Sequence, residues 1–171
     1  MPTMTSVPVL LLEGHWLGHL CGPGPWIDVK QFRSDGTLSV DETVEALLAE
    51  PEYRDHYCSP ENESAGGPLH GPYWADKIKS SDFLPVSLTE CESTLHRWRE
   101  QMCGSEADPE ADAVLDRALA LVRAAADRRY LRDLREEAEH DWGWVLGFGG
   151  FHEFLLVLPD GEVALLVASD D

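Results

Sequence analysis

Hydrophobic residues run without interruption near the carboxyl end of the chain, in Phe154-Leu-Leu-Val-Leu158. A second apolar stretch, Val163 to Ala168, follows, and Pro159-Asp-Gly161 lies between the two. Because Pro and Gly favour a tight turn, the pattern predicts a β-hairpin with strands over 151–158 and 162–168. The apolar run does not alternate with polar residues, so we expect both faces of this hairpin to be covered, at the centre of a sheet.

Capping boxes mark where two helices begin. Ser39 and Glu42 precede one apolar helical face, and Ser87 and Glu90 precede a second. The second helix carries an apolar stripe with three- and four-residue spacing, formed by Leu88, Cys91, Leu95, Trp98 and Met102. A third helix is expected to begin at Asp108-Pro109 and to continue, after a bend near residues 127–129, towards Ala138.

The amino-terminal third of the chain predicts two strands, over Val7–Leu12 and Trp26–Phe32, joined by a loop. The loop is expected over Gly14–Trp26, which is rich in Gly and Pro. Residues 58–74 show no periodicity and contain three Pro and three Gly. Structureless stretches of this length are usually functional or disordered, and the aromatic end, Tyr73-Trp74, favours a long ordered loop.

Strands at both ends of the chain, with helices between them, predict an α+β fold. We expect a single domain over residues 1–171 with a mixed or antiparallel sheet and the C-terminal hairpin at its centre. Three or four helices are expected to pack mainly on one face of that sheet.

Net charge restricts the possible binding partners more than the rest of the composition does. Thirty-two acidic residues against thirteen Lys and Arg give a net charge of −19. Binding to nucleic acid or to an anionic membrane surface requires clustered bases, so both are disfavoured. A basic partner would be attracted, although an acidic surface can also serve solubility alone.

The first thirteen residues lack a basic segment and a long apolar run, so we expect neither a signal peptide nor a membrane span. The expected location is the cytoplasm. There, Cys21, Cys58, Cys91 and Cys103 would be reduced thiols. Their spacing forms no zinc-binding pattern.

Cys58 is the first candidate for chemistry. It lies at an expected junction between helix and loop, with His56 before it and His70 in the same loop. A thiolate nucleophile needs a base and an orienting polar group, which residues 61–63 could supply. We therefore consider Cys58 as a nucleophile or ligand and His70 as its base. No cysteine-enzyme signature matches, and a buried structural thiol is the more common role.

Acids, imidazoles and aromatic rings also gather just before the hairpin. Together with the end of the long loop they could line a small-molecule pocket, or simply form the aromatic side of a core. The candidate binding residues are Trp74, His140, Asp141, Trp142, Trp144, His152 and Glu153.

Metal sites and cofactors are not expected. His15, His19 and Cys21 could approach one zinc ion on a helix, but the glycines around them disfavour a helix. Residues 31–42 resemble a calcium loop, except that Arg33 occupies a ligand position.

Two functions remain open. The first is an acidic cytoplasmic protein that binds a basic protein partner, of regulatory or immunity type, supported by the charge and by six tryptophans. The alternative is a small enzyme or ligand-binding domain with a pocket between the 56–74 loop and residues 140–153. Because no catalytic motif is present, the sequence favours the first.

Overall fold

The structure is a computed structural model that describes residues 9–34, 37–57, 65–140 and 150–170. Its main element is an antiparallel six-stranded sheet. The strands of this sheet are β1 (Leu10–His19), β2 (Trp26–Ser34), β5 (Phe83–Pro85), β6 (Asp127–Leu131), β7 (His152–Val157) and β8 (Glu162–Ser169). Their order is β1-β2-β8-β7-β6-β5, so the C-terminal hairpin, β7 and β8, occupies the centre as predicted.

In the residues that the structure describes, four α-helices accompany the sheet: α1 (Val40–Ala49), α2 (Leu88–Cys103), α3 (Pro109–Ala124) and α4 (Arg135–Ala138). The predicted capping boxes are present at the beginning of α1 and α2. At α3 the Asp108 side chain accepts hydrogen bonds from two backbone N–H groups of the first turn. These caps satisfy N–H donors that have no partner within the helix.

Both faces of the central hairpin are covered, because successive side chains of a strand point to opposite faces. On β8, Ala164, Leu166 and Ala168 pack with the apolar sides of α2 and α3. The alternate residues, Val163, Leu165 and Val167, pack with α1, α4 and the segments around Tyr53 and Tyr73. We call these the α2–α3 face and the α1 face. The α+β class predicted from the sequence is confirmed.

Two local predictions are wrong. Residues 14–19, expected in a loop, extend β1 and pair with β2. Gly18 has no side chain, which lets α3 pack closely against this part of β1. A Cβ atom at Gly18 would lie only 2.6 Å from Cγ1 of Val114 on α3. Residues 127–131, expected in a helix, form β6 between β5 and β7. The preceding helix ends at Ala124, where Arg128 donates hydrogen bonds to the carbonyls of Val122 and Ala125.

The expectation of reduced cysteines is also wrong for one pair. Cys21, in the β1–β2 loop, forms a disulfide with Cys103, the last residue of α2. Cys91 is a buried free thiol, and burial raises its pKa to about 11. Cys58 lies outside the described residues.

The described part of the long loop is ordered by short elements. Strands β3 (Leu69–His70) and β4 (Tyr73–Trp74) form a two-stranded hairpin. Single 3₁₀ turns occur at Pro51–Tyr53, Ala75–Lys77, Ser80–Asp82 and Pro159–Gly161. In the described part of the chain, no helix combines the length and the apolar character needed to cross a membrane.

Candidate functional site

Charged and polar side chains are buried together on the α1 face, where the sequence predicts a pocket. We call this group the polar cluster. It consists of Asp28, Lys30, Tyr53, Asp55, Tyr57, His70 and Glu153. Burying charges is unfavourable unless they are paired and hydrogen-bonded, so the partners of each group determine what the cluster can do.

Strand alternation brings the first two members to this face. Asp28 and Lys30 share the side of β2 that carries Trp26 and Phe32. Glu153 lies across the hairpin from Val167, which in turn lies opposite Asp28. The central strands therefore carry two carboxyl groups and one ammonium group into an otherwise apolar face.

Lys30 has an acceptor for each of its three ammonium protons. Its Nζ lies 2.8 Å from Oδ2 of Asp55, 3.1 Å from the Glu52 carbonyl and 3.2 Å from the Tyr57 hydroxyl. The ammonium group also sits 4.7 Å from the centre of the Tyr57 ring. These contacts tie the residues that follow α1 to the centre of the sheet.

Tyr57 adopts a left-handed conformation, with φ of 56°. Its backbone N–H donates to Oδ1 of Asp55, and its ring stacks on Trp26 with the centroids 5.4 Å apart. Burial, followed by the charges of Asp28, Asp55 and Glu153, raises the pKa of Tyr57 well above its usual value. The phenol therefore stays neutral and serves as a hydrogen-bonding group.

His70 and Glu153 form a fully buried pair, with His70 Nε2 2.8 Å from Glu153 Oε1. The Nδ1–H of His70 donates to the Tyr53 carbonyl, and the Tyr53 hydroxyl donates to Glu153 Oε2 at 3.4 Å. Because a carbonyl can only accept, Nδ1 carries a proton, and the contact with Glu153 holds one further shared proton. A base role for His70 would require Nε2 to release Glu153.

Asp28 is the least satisfied member of the cluster. Its Oδ1 accepts a hydrogen bond from Nε2 of His15, whose side chain is 34% exposed. This hydrogen bond is the main reason that the pKa of His15 is raised. Among the described residues, the other carboxylate oxygen of Asp28 has no hydrogen-bond partner.

Gly71 is where the long loop meets the segment before the hairpin. Its N–H donates to the Asp55 carbonyl, at 2.8 Å, and its carbonyl accepts from Nε2 of His140, at 2.9 Å. The Phe151 ring covers its Cα. The described parts of the two segments are therefore in contact through Gly71, His140 and Phe151.

The predicted site residues do not all lie on one face of the sheet. His70, His140 and Glu153 lie together on the α1 face, and Trp74 contacts the His140 ring. His152 points to the α2–α3 face, where its Nδ1 lies 2.9 Å from the Tyr130 hydroxyl. The remaining candidates, Cys58, Asp141, Trp142 and Trp144, lie outside the described residues.

No group of three or more metal-ligating side chains occurs within the described ranges. Of the three residues considered for zinc, Cys21 forms a disulfide with Cys103, and His15 is hydrogen-bonded to Asp28. His19 lies on β1, which is a strand rather than the helix that zinc binding would use.

A separate open groove lies where α2 turns into α3. It encloses about 540 Å³. We call it the α2–α3 groove, and its lining residues are His96, Arg99, Glu100, Gly104, Ser105, Asp112, Leu115 and Asp116. Within the described part of the chain, Glu100 and Asp116 form no ion pair, whereas Asp112 pairs with Arg99 at 3.0 Å.

Arg99 is the only Arg or Lys among the described residues that line the groove, and it is turned inward. It is 7% exposed and donates to the carbonyls of Gly104 and Glu106 as well as to Asp112. Its positive charge is therefore used to hold the turn between the helices. The surface that remains for a partner is acidic.

Comparisons of the chain with protein-family models, with curated proteins and with solved structures give no match.

Sequence reasoning missed most of the polar cluster, including Asp28, Lys30, Tyr53, Asp55 and Tyr57. One signal was present: Asp28 and Lys30 alternate with Ile27 and Val29 and share their strand face with Trp26. Two charges on the apolar face of a buried strand indicate buried partners elsewhere in the chain. The α2–α3 groove had no comparable signal, because it depends on how the two helices pack.

Proposed function

We propose that this chain binds a basic protein partner through the α2–α3 groove and acts as a regulatory or immunity-type protein that masks that partner. The observation that carries the proposal is the pair Glu100 and Asp116, two carboxylates that line one groove without an ion-pair partner among the described residues. An arginine or lysine of a partner would supply the missing counter-charge.

Most Lys and Arg residues of the chain are already paired with other acids, which leaves Glu100 and Asp116 available to a basic partner. At least eight of the thirteen Lys and Arg residues are engaged in ion pairs within the chain: Lys30, Arg33, Arg54, Arg99, Arg123, Arg129, Arg132 and Arg135. The excess negative charge would accelerate the encounter with a basic protein, and salt would weaken that effect.

The groove also has room for a long basic side chain. Its volume is about 540 Å³, and Glu100 and Asp116 are exposed on its walls. The turn beside it is held by the hydrogen bonds of Arg99 and by the Cys21–Cys103 disulfide. A preformed groove lowers the conformational entropy that this chain must lose on binding.

An NMR titration of the full chain with a short arginine-rich peptide tests this proposal. The backbone amides of Glu100, Ser105 and Asp116 should shift on binding, while those of the exposed acids Glu136, on α4, and Glu139, just after it, should not. Shifts spread evenly over acidic residues would contradict a groove site. A lysate partner captured at low salt, and released at high salt, should then compete with the peptide for the same amides.

The enzyme or ligand-binding alternative is favoured by one observation. His70, Glu153 and His140 converge near Gly71, beside both segments that the sequence singled out. Their described hydrogen-bonding groups are paired within the protein, so the alternative depends on Cys58. If Cys58 reacts with a thiol reagent no faster than a buried thiol, and shows no titration below about pH 8, its role as a nucleophile is contradicted.

The cytoplasmic location stays a prediction, and the Cys21–Cys103 disulfide weighs against it. Disulfides persist in oxidising compartments, whereas the cytoplasm of most cells keeps thiols reduced. Alkylation of thiols in intact cells, followed by mass measurement, would show which state the pair has at its site of action.

A further inference from the structure

The disulfide lies beside the α2–α3 groove. Cys103 ends α2, and the two residues that follow it, Gly104 and Ser105, line the groove. Its partner, Cys21, belongs to the β1–β2 loop and is 82 residues away in sequence. The bond therefore joins the end of α2, beside the groove, to the β1–β2 loop.

Hydrogen bonds also restrain this turn. Gly104 has a φ of +76°, and its N–H donates to the Glu100 carbonyl at 2.8 Å. Arg99 holds the carbonyls of Gly104 and Glu106. Helix ends open readily when few contacts restrain them, so loss of a covalent link at Cys103 would loosen these bonds first.

We propose that the Cys21–Cys103 disulfide is a redox-sensitive strap that keeps the α2–α3 groove in its binding conformation. The inference rests on the proposed function. With the strap closed, the groove binds a basic side chain in a preformed turn. With the strap open, the turn must be ordered when the partner binds, and the affinity falls.

The opening reaction needs a dithiol reductant, either a small molecule or a protein. One reductant thiolate attacks a sulfur of the disulfide, giving a mixed disulfide and releasing the other cysteine as a thiolate that takes up a proton. The second reductant thiol then displaces the remaining cysteine. In total, two electrons and two protons pass to Cys21 and Cys103, and the reductant becomes a disulfide.

The test compares the oxidised and dithiothreitol-reduced full chain in a Cys58→Ser background, which prevents exchange with that thiol. Two quantities are measured: amide hydrogen exchange over residues 99–106, and affinity for the arginine-rich peptide. Reduction should speed exchange in this turn at least about tenfold, without changing β7 and β8. Peptide binding should weaken about three- to tenfold.

A Cys21→Ser/Cys103→Ser variant should behave as the reduced protein does and should be indifferent to dithiothreitol. If both redox forms bind the peptide within about twofold, or if exchange over 99–106 does not change, the strap is overturned and the proposed function stands. If neither form binds the peptide, the proposed function fails, and the regulatory role of the strap fails with it.

Discussion

Phe151 lies directly against Gly71, so that a Cβ atom at Gly71 would fall 2.6 Å from Cε2 of the Phe151 ring. Gly71 also has a φ of +51°, a conformation that favours glycine. Two independent requirements therefore exclude a side chain at this position. The contact joins the long loop to the segment that leads into β7.

Gly71→Ala should lower the free energy of unfolding by about 2–4 kcal/mol, since it adds both backbone strain and a steric clash. Urea denaturation measures the loss. Gly66→Ala is a matched control, because Gly66 has a φ of +82° but no described residue within 4 Å of the added Cβ. The control should lose only about 1 kcal/mol. Equal losses would show that the contact with Phe151 does not hold the two segments together.

Glu153→Leu should destabilise the protein by about 3–5 kcal/mol, because it leaves Nε2 of His70 and the Tyr53 hydroxyl without their carboxyl partner in a fully buried site. Glu162→Leu removes a carboxylate from a half-exposed pair with Arg33 and should cost about 0–1 kcal/mol. Thermal and urea unfolding of both variants check the difference. A loss below about 1 kcal/mol at Glu153 would mean that the pair does not anchor the loop.

His15 should make the stability of the protein fall as the pH rises. Its folded-state pKa is raised, chiefly by the hydrogen bond to Asp28, so the stabilisation is complete below the unfolded pKa of about 6.5. It is lost as the pH increases through the folded value. Urea unfolding from about pH 5 to pH 8 should show a smaller decline for His15→Gln than for the wild type. Parallel curves would contradict a role for this pair.

Cys91 should not react with thiol reagents while the protein is folded. Burial raises its pKa to about 11, so little thiolate forms near neutral pH. In the Cys58→Ser variant without reductant, the native protein should show no fast-reacting thiol, and unfolding should release that of Cys91. Rapid labelling of native Cys91 would contradict its burial. The difference in native thiol labelling between the wild type and the Cys58→Ser variant measures the reactivity of Cys58.

The sequence predicted the parts of the fold that depend on local patterns. The hairpin followed from an apolar run around Pro159-Asp-Gly161, and two helix starts followed from the boxes at Ser39 and Ser87. Strand β6 was missed because Asp127-Arg-Arg129 is polar, and its place in the sheet comes from its neighbours β5 and β7. Such tertiary context overrides local propensity.

The candidate sites were harder to predict because they depend on distant pairs. His70 and Glu153 are 83 positions apart, and Cys21 and Cys103 are 82 apart. Spacing along the chain carries no sign of either pairing. The burial of His70 and Glu153 together was therefore not predictable, although the sequence indicates His70 as a candidate base and Glu153 as a candidate binding residue.

The affinity of the arginine-rich peptide for two variants of equal charge tests groove binding most directly. Glu100→Gln/Asp116→Asn changes the groove, and Glu136→Gln/Glu139→Gln changes exposed acids on the opposite face of the sheet. Calorimetry at low salt should show about a tenfold loss of affinity for the groove variant and less than about twofold for the other. Equal losses, or no loss in either variant, would contradict recognition of a basic partner in the α2–α3 groove.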